Sequence, residues 1–175
     1  MIGKRCLVTG ATSGIGKTIA TELAARGGEV ILVSRNAEKC QDTVDQIKQI
    51  SRNPALSYFQ SDLSSQEDSR NLAKSIKSNY SSLDVLVNNA GGIYWRKQES
   101  VDGIDMNLAL NYLNYFLLTN LLLELLLSSP SARIINVSSI VHSLVELNFE
   151  DMSSTKNYIP LAAYARSKLA IIYFT

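Results

Sequence analysis

Cys6-Leu7-Val8 runs directly into Thr9-Gly10-Ala11-Thr12-Ser13-Gly14-Ile15-Gly16, and the residues that follow fall into a helical pattern. An apolar strand, a glycine turn and a helix in that order leave few folds open. Glycine allows positive φ in the turn, close backbone approach to a pyrophosphate and tight helix packing. The helix N-terminus adds free N–H groups and a dipole that favours phosphate. Thr9, Gly10, Thr12, Ser13, Gly14, Ile15 and Gly16 are therefore the expected phosphate-binding residues. A glycine pattern alone would be weak evidence, because ligand-free turns share it; the strand-turn-helix setting selects the nucleotide.

The rest of the chain repeats the alternation. Val30 to Val33 reads as a second strand, and Asn36 caps a helix carrying Cys40, Val44 and Ile47 at helical spacing. Leu56 to Gln60 is the third strand, followed by Ser64 and Glu67 at the spacing of a capping box ahead of Leu72, Ala73 and Ile76. Val85-Leu86-Val87 is the fourth strand, a long helix is expected from about Val101 to Leu127, and Arg133 to Val137 is the fifth strand. From Leu161 onward the pattern is again helical. Continuous apolar strands between helices predict an α/β fold, a doubly wound parallel sheet (Rossmann fold) covered on both faces, in one domain over residues 1–175. Its ligand crevice then lies at the carboxyl ends of the strands.

In dinucleotide-binding folds a carboxylate at the end of the second strand usually takes the ribose 2′-hydroxyl. Here that strand ends Val33-Ser34-Arg35. A guanidinium there pairs with a 2′-phosphate, which favours NADP(H) over NAD(H).

Other function classes lose support from composition. Seventeen Lys and Arg against sixteen Asp and Glu give a net charge of +1 without a basic cluster, so no nucleic-acid partner is expected. Cys6 and Cys40 have neither metal nor redox spacing and read as reduced, partly buried small apolar residues of a cytoplasmic protein. No metal site is expected. The apolar run Tyr115 to Leu127 is interrupted by Asn120 and Glu124 and falls short of the ~20 residues of a transmembrane helix. Only Met1 to Arg5 precede the first apolar run, so no N-terminal signal or anchor is expected.

From the first strand to the last residue the sequence resembles the classical branch of the short-chain dehydrogenase/reductase family. Thr9-Gly10-x-x-x-Gly14-x-Gly16 matches its glycine spacing, Asp62-Leu63 its adenine-pocket position, and Asn88-Asn89-Ala90-Gly91 the motif that lines the cofactor site. Asn111 falls at the family's helical active-site asparagine, Ser139 in Asn136-Val137-Ser138-Ser139 at its catalytic serine, and Tyr164 and Lys168 at its Tyr-x-x-x-Lys pair. The resemblance implies strand order 3-2-1-4-5, a homodimer through the helices carrying Asn111 and Tyr164, and a carbonyl–alcohol reaction. Asp62, Leu63, Asn89, Ala90, Gly91, Tyr164 and Lys168 join the expected cofactor residues.

Tyr and Lys four apart share one helix face. A phenol of pKa near ~10 is a poor acid at neutral pH, and a neighbouring ammonium favours its phenolate. The resemblance implies that Tyr164 exchanges a proton with the substrate oxygen, Ser139 hydrogen-bonds that oxygen, Lys168 holds the nicotinamide ribose, and Asn111 holds a water leading to Lys168. His142, the only histidine, is expected in a structural or pocket role, and Tyr94 and Trp95 in packing or substrate contact.

Twenty-four residues separate Ser139 from Tyr164. Leu147-Asn148-Phe149-Glu150-Asp151 in that gap, and Phe116 to Leu121, resemble the retinol-dehydrogenase-like members. A hydrophobic substrate (lipid aldehyde, retinoid or sterol-like) is implied. Family members continue past the Tyr-x-x-x-Lys helix with further strands, so the chain reads as truncated at the C-terminus, with the fifth strand an exposed edge and Leu169, Ile171, Ile172 and Phe174 short of packing. The alternative to an active enzyme is a catalytically weak NADP(H)-binding or scaffold protein.

Overall fold

Five strands pair in parallel in the order β3-β2-β1-β4-β5. They are β1 (Arg5–Thr9), β2 (Glu29–Ser34), β3 (Leu56–Gln60), β4 (Val85–Asn88) and β5 (Arg133–Asn136). The computed structural model describes residues 1–147, 149–153 and 158–175. Asn148, in the segment likened to the retinol-dehydrogenase-like members, lies outside the described residues.

The strands read as unbroken apolar runs because both sheet faces are covered. Leu7, Ile31, Val33 and Leu86 point to one face, where they meet α3 (Gln66–Asn79) and α5 (Asn114–Leu127) through Leu72, Ile76, Leu118 and Leu122. Cys6, Val8, Val30, Leu32 and Val87 point to the other, against α1 (Gly14–Ala25) and α2 (Ala37–Ser51) through Ala20, Ala24, Val44 and Ile47. Burying each Leu, Ile or Val contributes roughly 1.5–3 kcal/mol, so these two layers fix the register of the sheet. Both cysteines are buried and free.

Several local expectations shift. Ile15, expected at the phosphate-binding turn, is 63% exposed. It occupies the first helical turn, where the chain turns outward over the crevice. Ser65 rather than Ser64 caps α3, accepting from the Asp68 amide at 3.2 Å, while the Ser64 hydroxyl donates to Asp62 Oδ1 at 2.7 Å. The long helix starts at Met106 rather than Val101, because Asp105 caps it by accepting from the Asn107 and Leu108 amides. From there α4 (Met106–Leu108), a π-helical turn (Ala109–Leu113) and α5 run on as one 22-residue helix. By length and composition it reaches the size of a membrane span, longer than its apolar run alone suggested. Its Tyr115, Leu118, Leu122, Leu125 and Leu126 are buried.

β5 ends one residue early, at Asn136. It forms the sheet edge, with Ile134 41% and Ile135 47% exposed. The last helix, α6 (Pro160–Phe174), has proline in its first turn, where no N–H is missed. Ile172 is exposed, but Ile171 is fully buried and Phe174 meets Phe116 edge-to-face at 5.5 Å, so part of the expected packing deficit is absent.

Candidate active site

A cleft of about 860 Å³ opens at the carboxyl ends of β1, β2, β4 and β5. Gly10, Thr12, Ser13, Gly14, Ile15 and Gly16 line one side, Arg35, Asp62 and Leu63 one end, and Asn89, Ala90, Gly91 and Lys168 the other side. Of the residues expected to touch cofactor, Thr9 and Tyr164 are outside this lining. Thr9 is fully buried beneath the glycine loop. Its hydroxyl donates to the Val87 carbonyl and accepts from the Asn89 and Ala90 amides at 2.9 and 3.0 Å, tying β1 to the exit of β4.

The glycine side is shaped by absent side chains. Gly10 has φ +65°, and a Cβ there would stand 2.8 Å from Ala90 Cα. A Cβ on Gly16 would collide with the Asn89 side-chain amide and the Gly10 carbonyl. The Asn89 amide donates to the Thr9 and Gly10 carbonyls at 2.8 and 3.3 Å, so the loop is clasped from β4. Thr12 and Ser34 hydroxyls meet at 3.2 Å, holding the loop to β2. The first turn of α1 carries no acidic residue, which leaves its N-terminus free for an anion. Glycine cradle, open helix N-terminus and cleft volume together fit a dinucleotide.

Arg35 is exposed at the cleft lip, and Lys39, one helical turn further on, lines the same lip. Sequence reasoning missed Lys39, although its place in the first turn after the Asn36 cap, close behind Arg35 in the chain, was the available signal. Asn36 accepts from the Lys39 amide at 2.8 Å and so orders that turn.

The opposite side is built from side-chain bridges. Lys168 is 4% exposed, and its ammonium donates to the Val137 carbonyl at 2.9 Å. The Ser138 hydroxyl donates to the Lys168 carbonyl at 2.8 Å, so the exit of β5 grips this residue at both ends. The Tyr164 and Tyr115 rings each lie 5.7 Å from Lys168 Nζ. Burial pushes the Lys168 pKa down to about 8. Burial likewise raises that of Tyr115 beyond the ordinary phenol range, with Tyr164 adding to it.

Asn111 sits in the π-helical turn, fully buried. Its Oδ1 accepts from the Gly92 amide at 2.9 Å, and its Nδ2 donates to the Gly92 carbonyl at 3.0 Å and the Ser167 hydroxyl at 2.9 Å. Both Nδ2 hydrogens are thus used, leaving the second lone pair of Oδ1 for a water. A Cβ on Gly91 would lie 2.7 Å from that oxygen and 3.6 Å from Lys168 Nζ, so glycine keeps the space between them open.

Ser139 begins the 3₁₀ turn Ile140–Leu144 after β5. Its carbonyl accepts from the His142 amide at 3.1 Å and from His142 Nδ1 at 2.7 Å, which makes the histidine a brace of this turn. Trp95 is exposed beyond the cleft. Among the described residues no group of three or more His, Cys, Asp or Glu is placed to hold a metal.

Known proteins share this frame. Retinol dehydrogenase 13 of Mus musculus is 43% identical over 174 residues, 99% of this chain and 52% of the relative. Polyprenol dehydrogenase of Homo sapiens is 41% identical over 97% of this chain and 52% of its own length. The chain therefore spans about half the length of these curated relatives. The NADP complex of RhlG from Pseudomonas aeruginosa superposes with a TM-score of 0.80 at 33% identity, over 99% of this chain and 65% of that one. The short chain dehydrogenase family matches residues 4–175, the whole of the sheet and its cleft. Order of strands, glycine cradle and sequence agree: the chain belongs to the short chain dehydrogenase family.

Proposed function

We propose that the chain carries the nucleotide-binding and reacting parts of an NADP(H)-dependent oxidoreductase that interconverts an alcohol and a carbonyl on a hydrophobic small molecule. The observation that carries this reading is the buried Lys168 ammonium, on the wall of a dinucleotide-sized cleft and 5.7 Å from the Tyr164 ring. Gly10, Thr12, Ser13, Gly14, Ile15 and Gly16 would hold the pyrophosphate, Asp62 and Leu63 the adenine, and Asn89, Ala90 and Gly91 the wall beside the nicotinamide. Arg35 and Lys39, both on the lip, would pair with a 2′-phosphate. When bound, the nicotinamide supplies or accepts the hydride.

The remaining work falls to side chains of this chain. Tyr164 gives a proton to the carbonyl oxygen in reduction and removes it from the alcohol in oxidation. Lys168 stabilises the phenolate so formed, at short range in a site of low polarity. Ser139 hydrogen-bonds the same oxygen, and the free lone pair of Asn111 Oδ1 holds a water on the path to Lys168. A hydrophobic substrate is supported by the relatives named for retinol and polyprenol. Exposed Ile140, Leu144, Phe149 and Leu161, in the segments between β5 and Tyr164, support it as well.

A second reading, dinucleotide binding without turnover, is favoured by the exposure of Ile134, Ile135 and Ile172 at the β5–α6 edge. NADPH fluorescence titration followed by turnover of hydrophobic aldehydes separates the two. Binding with turnover that drops ~100-fold or more in Tyr164→Phe is expected. Binding by intact protein without turnover would establish the second reading, and full activity in Tyr164→Phe would remove Tyr164 from the reaction.

A further inference from the structure

Two asparagines four residues apart on one helix face grip the loop that leaves β4. Asn111 holds both backbone groups of Gly92 and passes through Ser167, whose hydroxyl donates to the Tyr164 carbonyl at 2.7 Å. Asn107, fully buried, repeats the arrangement one turn earlier. Its Oδ1 accepts from the Tyr94 amide at 3.2 Å, and its Nδ2 donates to the Tyr158 hydroxyl at 3.0 Å. The Tyr158 hydroxyl in turn donates to the Tyr94 carbonyl. Both backbone groups of Tyr94 are therefore held, one by the long helix and one by the residue two positions ahead of α6.

Tyr94 itself lines the cleft together with Arg35 and Asp62. Tyr94 is half-buried, and it follows Gly91 and Gly92, which line the same cleft. A residue held by both backbone groups on the cleft wall presents its side chain there in a fixed place.

We infer that Asn107 and Tyr158 are positioning residues that fix Tyr94 as a strap across the dinucleotide cleft and tie it to the helix bearing Tyr164 and Lys168. The part concerning the dinucleotide rests on the NADP(H) reading above; the clamp itself does not. Its consequence is a division of labour along the helix. The Asn111 rung sets the reacting groups, and the Asn107 rung sets how long the cofactor stays.

Tyr158→Phe tests this, because it removes one hydroxyl and keeps the ring. Tyr80→Phe is the control, since the Tyr80 hydroxyl meets Ser57 at 3.0 Å away from the cleft. In ligand-free protein, hydrogen exchange of the Tyr94 amide and the anisotropy of Trp95, the only tryptophan, report the strap directly. Tyr158→Phe is expected to speed that exchange about tenfold and lower the anisotropy, with the control unchanged and the two variants unfolding at similar temperatures. With NADPH, Tyr158→Phe is expected to raise the dissociation rate about five- to tenfold while leaving kcat within about twofold. Tyr94 exchange equal to that of the parent protein would overturn the clamp. Faster exchange with an unchanged NADPH dissociation rate would overturn the strap. A parent protein that does not bind NADPH would sink the cofactor reading instead, and the exchange data would still decide the clamp.

Discussion

The two sides of the cleft are built on different principles. The glycine side, formed by β1, α1 and β2, is shaped by backbone: Gly10 and Gly16 leave room that any Cβ would fill, and Leu7, Val8, Ile31 and Leu32 behind them are fully buried. The Lys168 side, formed by β5 and α6, is shaped by side chains reaching between distant segments. Lys168 reaches Val137, Ser138 reaches Lys168, and Asn111 reaches Gly92 and Ser167, while the strand beneath them is an exposed edge. A backbone-built site tolerates change at its lining side chains but none at its glycines. A side-chain-built site has the opposite sensitivities, and its pKa values are set by burial.

The largest effect that tests this contrast is expected from Gly16→Val. Its Cβ has no space between Asn89 and the Gly10 carbonyl, both held by hydrogen bonds. Fluorescence titration should show NADPH affinity lowered by ~100-fold or more, equivalent to about 3 kcal/mol. Affinity within a few-fold of the parent would mean that the loop relaxes freely, and the backbone account of this side would fail.

Lys168 gives the matching test on the other side. Its folded pKa of about 8 is below the unfolded value of 10.5. Between those two pH values the unfolded chain holds a proton that the folded chain has released, so this residue makes folding more favourable as pH rises from about 8 to about 10.5. Below pH 8 the buried ammonium costs its full penalty, on the order of 3 kcal/mol. Buried Cys6 and half-buried Tyr94 and Tyr158, whose pKa values are raised, push the other way above pH 8. The Lys168 contribution is therefore read as a difference. Urea unfolding of Lys168→Met and parent should show the variant more stable at pH 7, with the gap closing toward pH 10. A gap independent of pH would mean that the ammonium is not desolvated, and the contrast between the two sides would weaken.

This contrast also explains what the sequence could disclose. The glycine cradle and the parallel sheet follow from local rules, continuous apolar runs and a strand-turn-helix order around Gly10, whereas the strand order came from the family resemblance. The start of the long helix at Met106 was not legible, because Asp105 competes with several earlier polar residues as a cap. The one-residue shift from Ser64 to Ser65 arose because adjacent serines offer the same chemistry and Asp62 takes the first. Asn107, Tyr158 and Tyr94 carry no local signature at all. Their bond network joins positions 51 and 64 residues apart, and only the packing of the long helix against α6 brings them together. The residues proposed to react were reached by family resemblance rather than by spacing.

The smallest expected effect comes from a pair of lysines in opposite settings. Lys39 stands at the exposed lip beside Arg35, whereas Lys168 is sealed against Val137. An exposed ammonium near a 2′-phosphate acts through solvent and is screened over the ~8 Å Debye length of physiological salt. Lys39→Ala should therefore weaken NADPH binding by about three- to tenfold at low ionic strength, with little change for NADH. In ~0.5 M salt most of that difference should vanish, because screening removes it for parent and variant alike. The Lys168 contribution, made inside the fold, should persist at the same salt. If the Lys39→Ala effect is instead large and insensitive to salt, the lip closes over the phosphate on binding. The adenosine end would then share the desolvated character that the apo cleft reserves for the reacting side.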